Sequence, residues 1–145
     1  METLLQYKEL RGEKQGFSLH TLVSRLVACV VPATARNKSF MVNDIPAGLS
    51  IAANPGLVTA VLSNLFNTVA LHSVNSCIRI SAKVYSNIIL VQVRDHHSAN
   101  ACTIAYSLQP AQPLAEKIGG YLGITSQWKN ETTIVFSFPN IPLAA

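Results

Sequence analysis

Apolar residues follow a helical period in two long segments of the chain. From about residue 18 to 31 they form one broad face, with Ser18 suited to cap the N-terminus and Pro32 to end the helix. The second segment, 54–73, starts at the capping residue Asn54 and keeps the 3.6-residue spacing more cleanly. The pattern therefore predicts two amphipathic helices, of which the second is the clearer.

Six shorter segments are rich in β-branched and apolar residues and are predicted to be strands. They are Ser39–Val42, Leu49–Ala52, Cys77–Tyr85, Ile88–Arg94, Tyr121–Gln127 and Thr132–Phe138. Tight turns join the third strand to the fourth, and the fifth to the sixth, as antiparallel hairpins. Helices and hairpins in this order predict an α/β two-layer sandwich, with helices on one face of a mixed, mostly antiparallel sheet.

The segment 95–113 has no apolar period that persists, because small and polar residues dominate it. It is predicted to be a loop of roughly 18 residues, longer than the ~12–15 residues of most passive connections. Loops of that length are commonly functional. A short helix at Leu114–Ile118 and a turn at Gly119 and Gly120 are expected to follow.

Charge is sparse and evenly spread along the 145 residues. Only 12% of the residues are charged, against ~25% in an average soluble protein, whereas 49% are hydrophobic. The 11 basic and 7 acidic side chains give a net charge of +4, but the cations form no run or patch. The composition favours one domain with a sizeable core and argues against nucleic acid as a partner.

Three cysteines, Cys29, Cys77 and Cys102, lie far apart, so they predict neither a disulfide framework nor a metal site. Each has small or apolar neighbours, which is typical of buried thiols in a reducing compartment. No run of about 18 apolar residues is present, so no membrane segment is expected. The chain is expected to be cytoplasmic.

Three segments, taken in order, resemble the ATP-binding domain of sensor histidine kinases, whose fold is shared with gyrase and mismatch-repair ATPases. LVTAVLSNLFNTVALH, at 57–72, is similar to the family's N-box helix, LxxVLxNLLxNAxKH. VQVRD, at 91–95, resembles the strand that leads into the VxDxGxG box. GGYLGITS at 119–126 and TTIVFSFP at 132–139 resemble the closing GGxIxVxS and GTxFxFxLP motifs. The resemblance spans nearly the whole chain and implies the Bergerat (GHKL) fold.

The first residues resemble another part of such kinases. LLQYKELRGEKQGFSL is similar to the end of the dimerisation helix and the linker that precede the kinase domain. The resemblance implies that residues 1–16 are the end of a dimerisation-type helix with its linker, and that residues 17–145 are the histidine-kinase-like ATPase domain. In isolation, the apolar stripe of this helix is expected to favour a homodimer.

The resemblance also implies a nucleotide pocket, which would comprise Asn64, Thr68, Asp95 and Thr132. In the family, an asparagine one helical turn after the first coordinates the Mg²⁺ that bridges the phosphates. Here that position is Thr68, which offers only a neutral hydroxyl. Asp95 stands where the family's acidic residue receives the adenine amino group, although the residues alone equally allow a loop-capping carboxylate. Asn64 is likewise open to a purely structural hydrogen bond.

The glycines of the family's nucleotide boxes are missing. His97 and Ala99 replace those expected after the VQVRD strand, and none of the seven glycines lies between residues 57 and 118. In the second box, Pro110 and Pro113 remove backbone N–H groups of the kind that bind phosphate at a helix start. The sequence therefore predicts a relict pocket that has lost, or nearly lost, ATP. Glu131, where the family has glycine, would repel phosphate if it faced the site.

These departures favour a degenerate histidine-kinase-like ATPase domain in two-component signalling, a pseudokinase without catalytic residues, cofactor or metal. It is expected to act as a phosphotransfer or protein-interaction module, with a response regulator or a histidine-containing dimerisation domain as its partner. The alternative is an active ATP-dependent histidine kinase, or an anti-sigma-like serine kinase, whose divergent lid orders on binding ATP and Mg²⁺. A generic α/β sandwich with an unrelated role is a third hypothesis.

Overall fold

The computed structural model describes residues 16–96, 101–128 and 131–142. In chain order these form β1 (Phe17–Ser18), α1 (Leu19–Arg36), β2 (Phe40–Asn43), β3 (Ser50–Ile51), α2 (Pro55–His72), β4 (Cys77–Tyr85), β5 (Ile88–Asp95), α3 (Ala101–Ser107), α4 (Gln112–Lys117), β6 (Tyr121–Trp128) and β7 (Glu131–Pro139). A 3₁₀ turn, Gln109–Ala111, lies between α3 and α4. The predicted dimerisation-type helix and linker, 1–16, lie outside the described residues except for Gly16.

Five strands form one sheet in the order β2-β4-β5-β7-β6. Only β2 and β4 run parallel, and every other neighbouring pair is antiparallel. Every second side chain is buried along β5, and so are Ile78 and Ile80 in the first half of β4, which places a single apolar face against the helices. β1 and β3 form a separate two-stranded ribbon. The predicted two-layer sandwich with a mixed, mostly antiparallel sheet is confirmed.

The end of α1 differs from the prediction, because the helix continues through Pro32 to Arg36. Its start is as expected, since the Ser18 hydroxyl accepts a hydrogen bond from the backbone N–H of Thr21 at 3.2 Å. A proline inside a helix costs about 3 kcal/mol. Contacts beyond it offset this cost: Thr34 is buried, and the amide of Asn37 donates to the carbonyl of Ala70 in α2 at 2.9 Å.

The predicted loop at 95–113 is wrong, because most of this segment is helical. Ile104, Leu108, Ala111 and Ala115 are spaced by four, three and four residues, and all are at most 1% exposed. This stripe packs on α2 and the sheet as part of the core. Two of its four members are alanines, whose weak hydrophobicity hides the helical period in the sequence.

The described cysteines are not the buried thiols that the sequence predicts. Cys29 is exposed on α1, and Cys77 is only partly buried at the start of β4. Both are free thiols. Of the helices within the described ranges, none is long and apolar enough to cross a membrane.

Candidate functional site

Asp95 ends β5 and is completely buried. Its Oδ2 accepts a hydrogen bond from the Ser73 hydroxyl, and its Oδ1 accepts one from the Ser76 hydroxyl. Both serines belong to the short segment between α2 and β4, and Ser73 is the C-cap residue of α2. A buried carboxylate is stable only when it is hydrogen-bonded, and here the chain itself supplies the donors.

Ser39 extends this network to the start of β2. Its hydroxyl donates to the carbonyl of Ser73 at 3.1 Å and accepts from the backbone N–H of Ser76 at 3.0 Å. Ser39, Ser73 and Ser76 are all buried. The three serines therefore tie the ends of β2, α2 and β5 together around Asp95, which favours the structural interpretation that the sequence left open for it.

Thr132 lies directly opposite Asp95 in the pairing of β5 with β7. It is completely buried, and its hydroxyl has no hydrogen-bond partner among the residues that the structure describes. Asn64, on α2, has a buried carbonyl oxygen that likewise lacks a partner in the described part of the chain. Buried polar atoms left without partners cost about 1–3 kcal/mol each, so these two are the atoms of the predicted site that would gain most from a polar ligand.

Thr68 follows Asn64 by one turn of α2, so the two positions share a helix face, and Thr68 is buried. The structure thus arranges the four predicted pocket residues as two pairs: Asn64 with Thr68 on the helix, and Asp95 with Thr132 across the sheet. Within the described ranges, no three His, Cys, Asp or Glu side chains lie close enough together to hold a metal ion.

The segment that corresponds to the second glycine box is helical and docked. Pro110 lies in the first turn of the 3₁₀ segment and Pro113 in the first turn of α4, where a missing N–H costs nothing to the helix. The side-chain amide of Gln112 donates to the carbonyl of Leu122 in β6 at 2.8 Å. Residues 97 and 99, of the first box, lie outside the described part of the chain.

Glu131 has a partner that the sequence did not predict. Its carboxylate lies 3.0 Å from Nδ1 of His96, and both side chains are more than one-third exposed. The serine donors to Asp95 were missed as well. Their only signal is the sequence Ser73-Val74-Asn75-Ser76 between a helix and a strand, which is equally typical of an ordinary turn.

No family model matches the sequence, and no curated protein matches it. The structure has the fold of the catalytic ATPase domains of sensor histidine kinases. The Acinetobacter baumannii histidine kinase AdeS superposes with a TM-score of 0.75 at 14% identity, over 95% of this chain and 73% of that chain. The nucleotide-free catalytic domain of the histidine kinase ThkA superposes with a TM-score of 0.72 at 17% identity, over 91% of this chain and 100% of that chain.

A third similar structure is full-length ShkA, in complex with AMPPNP. Its TM-score is 0.75 at 14% identity, and the match covers 90% of this chain but 32% of that longer protein. At such identities the likeness establishes the fold. The predicted histidine-kinase ATPase-like architecture is therefore confirmed, and a sandwich of some other topology is not what the sequence forms.

Replacing Thr132 with valine is expected to raise the free energy of unfolding by about 1 kcal/mol. Valine has nearly the same shape, and it removes a buried hydroxyl that lacks a partner. Thr133→Val, at the next position and on the opposite sheet face, is the matched control and should change stability by less than about 0.5 kcal/mol. Urea unfolding measures the free energy of unfolding of both variants. A loss of stability in Thr132→Val would show that the Thr132 hydroxyl does have a hydrogen-bond partner.

Proposed function

We propose that this chain is a degenerate histidine-kinase-like ATPase domain of two-component signalling, which does not bind ATP. The observation that carries the proposal is the state of Asp95. Its carboxylate is completely buried, and each oxygen already accepts a hydrogen bond from a serine of the same chain. A purine amino group could approach it only if this serine network opened, which would cost several hydrogen bonds.

The residues around Asp95 also fit ATP and Mg²⁺ poorly. Thr68 supplies a single neutral hydroxyl where an amide oxygen would be the better Mg²⁺ ligand. The proline-containing segment that replaces the second glycine box packs its apolar stripe into the core instead of leaving a flexible phosphate-binding loop. Glu131 does not bear on this pocket, because alternation along β7 places it on the same side of the sheet as Thr133 and opposite the buried Thr132.

A domain of this fold without nucleotide still offers surfaces to other proteins. Its role is then that of a phosphotransfer or protein-interaction module, and its partner is a response regulator or a histidine-containing dimerisation domain. A homodimer formed through residues 1–16 belongs to the same proposal. The fold shared with AdeS and ThkA, together with the loss of the glycine boxes, supports this assignment.

One observation favours the alternative, an active ATP-dependent kinase with a divergent lid. Asn64 and Thr132 each keep a buried polar atom that no described residue hydrogen-bonds, and a ligand could satisfy both. In that case Asp95→Asn should abolish stabilisation by nucleotide. In the degenerate domain there is no such stabilisation to lose.

Thermal unfolding with and without AMPPNP and Mg²⁺ separates the two functions. A ligand present at about 100 times its Kd stabilises a protein by about 2.7 kcal/mol, which raises the midpoint of a domain of this size by several degrees. We expect no shift here, while ShkA, which was solved with AMPPNP, serves as the positive control. A shift that Asp95→Asn removes would establish the active kinase instead.

A further inference from the structure

One face of the five-stranded sheet is covered by no helix in the described part of the chain. The buried side chains of β4, such as Ile78 and Ile80, point to the helical layer, and Arg79 and Lys83 point to the opposite side. In β5 the same alternation places Leu90 and Arg94 on that side. We call the side that carries Arg79 and Lys83 the open face.

The open face carries three cations, with Arg79 and Arg94 at one end and Lys83 four residues further along β4. Arg79 and Arg94 are directly opposite each other in the pairing of β4 with β5, an arrangement of like charges that is normally destabilising. Asp44 pairs with Arg79 at 2.5 Å, but Arg94 and Lys83 have no ion-pair partner among the described residues. The other carboxylate near this face, on Glu131, is engaged with His96.

The other end of the open face is aromatic and apolar. Tyr85 and Ile88 pair across the β4–β5 hairpin and are 54% and 45% exposed. Tyr121, in β6, is 53% exposed, and its hydroxyl lies over Gly123, where a Cβ would be only 2.4 Å away. The missing side chain at Gly123 lets the tyrosine ring lie along the strand beside the almost fully buried Val135.

We propose that the open face is a docking surface for an acidic segment of a partner protein that also carries apolar side chains. The basis is charge complementarity: Lys83 and Arg94 are exposed cations with no ion-pair partner within the described ranges, and they lie about 13 Å apart along the strands, with exposed apolar side chains next to Lys83. Exposed tyrosine and arginine side chains are the types enriched at the energetic centres of protein interfaces. This inference deepens the proposed interaction role and names its surface.

The same features argue against other occupants. A nucleic acid strand would be expected to meet a longer series of cations, whereas this face has three within a mostly neutral surface. A second copy would bring cation against cation. An acidic protein segment with apolar side chains neutralises Lys83 and Arg94 and covers Tyr85 and Tyr121 at the same time.

Fluorescence anisotropy with three labelled probes tests the docking surface. The first is a peptide of about 16 residues in which Glu and Asp alternate with Leu and Phe; the second carries Lys in place of the acidic residues; the third is single-stranded DNA of similar length. We expect the acidic peptide to bind most tightly, and its Kd to rise with salt concentration. Lys83→Glu and Arg94→Glu should each raise that Kd about fivefold.

Arg25→Glu, the same charge change on the exposed side of α1, is the matched control and should leave the Kd unchanged. Tyr121→Ser should weaken binding without altering its salt dependence, since it removes an apolar contact. Equal binding of the lysine peptide, tighter binding of DNA, or the same loss in Arg25→Glu as in Arg94→Glu would overturn the proposal. No nucleotide takes part in this experiment. A negative result would therefore refute the docking surface without affecting the proposed loss of ATP binding, and ATP binding would refute that loss without affecting the docking surface.

Discussion

Replacing Asp95 with alanine is expected to lower the free energy of unfolding by about 3–5 kcal/mol. The substitution removes the acceptor of two buried hydroxyls, those of Ser73 and Ser76, and leaves a small cavity at the end of β5. Hydrogen bonds to a charged group contribute about 1.5–3 kcal/mol each, so losing both accounts for the expected effect. Urea unfolding followed by circular dichroism measures the change.

Asp44→Ala is the matched control, because Asp44 is the only other aspartate in the sequence. Its ion pair with Arg79 is about half exposed, and such pairs contribute about 0–1 kcal/mol. If Asp95→Ala were no more destabilising than Asp44→Ala, Asp95 would not have the structural role assigned to it. An active nucleotide site predicts a smaller loss of unfolding free energy for Asp95→Ala, since its aspartate would be available to hydrogen-bond the ligand and not committed to the serines.

Gly120→Ala is expected to lower the free energy of unfolding by about 1–3 kcal/mol. A Cβ at this position would lie 2.1 Å from the backbone oxygen of Ser137 and 3.1 Å from Cβ of Phe138. The backbone N–H of Gly120 also donates to the carbonyl of Ala115 at 2.8 Å, which fixes the glycine between α4 and the sheet. Neither the strand nor the helix end can move away without losing these contacts.

Gly48→Ala provides the control for this prediction. Nothing lies within 4 Å of a Cβ at Gly48, so its stability should change by less than about 0.5 kcal/mol. Comparing the midpoints of thermal unfolding of the two variants separates the steric clash at residue 120 from the general effect of replacing glycine with alanine. Equal midpoints would mean that β6 and β7 accommodate the extra methyl group, contrary to the packing described.

Much of the fold could be predicted because its signals are local. Asn54 caps α2 through hydrogen bonds to the N–H groups of Gly56 and Leu57, as the sequence indicates. β4 and β5 follow the predicted bounds to within one residue, since alternation and a tight turn define a hairpin. The continuation of α1 beyond Pro32 could not be predicted, because it depends on distant contacts such as that of Asn37 with Ala70.

The candidate site was predictable only in part. Helical spacing suffices to place Asn64 one turn from Thr68. The approach of Asp95 to Thr132 depends on the pairing of β5 with β7, which belong to different hairpins. The serine partners of Asp95 could not be found in the same way. Ser73 and Ser76 reach the carboxylate only after α2 and β4 have packed together, so no local sequence pattern predicts these hydrogen bonds.

Isothermal titration of the intact chain with ATP in the presence of Mg²⁺ tests the loss of nucleotide binding most directly. Asp95 is sealed by serines, and the glycine boxes are absent from 57–118, so we predict no measurable heat of binding up to about millimolar ATP. Saturable binding with a micromolar Kd, which corresponds to about 8 kcal/mol of binding free energy, would show that the domain has kept its nucleotide site.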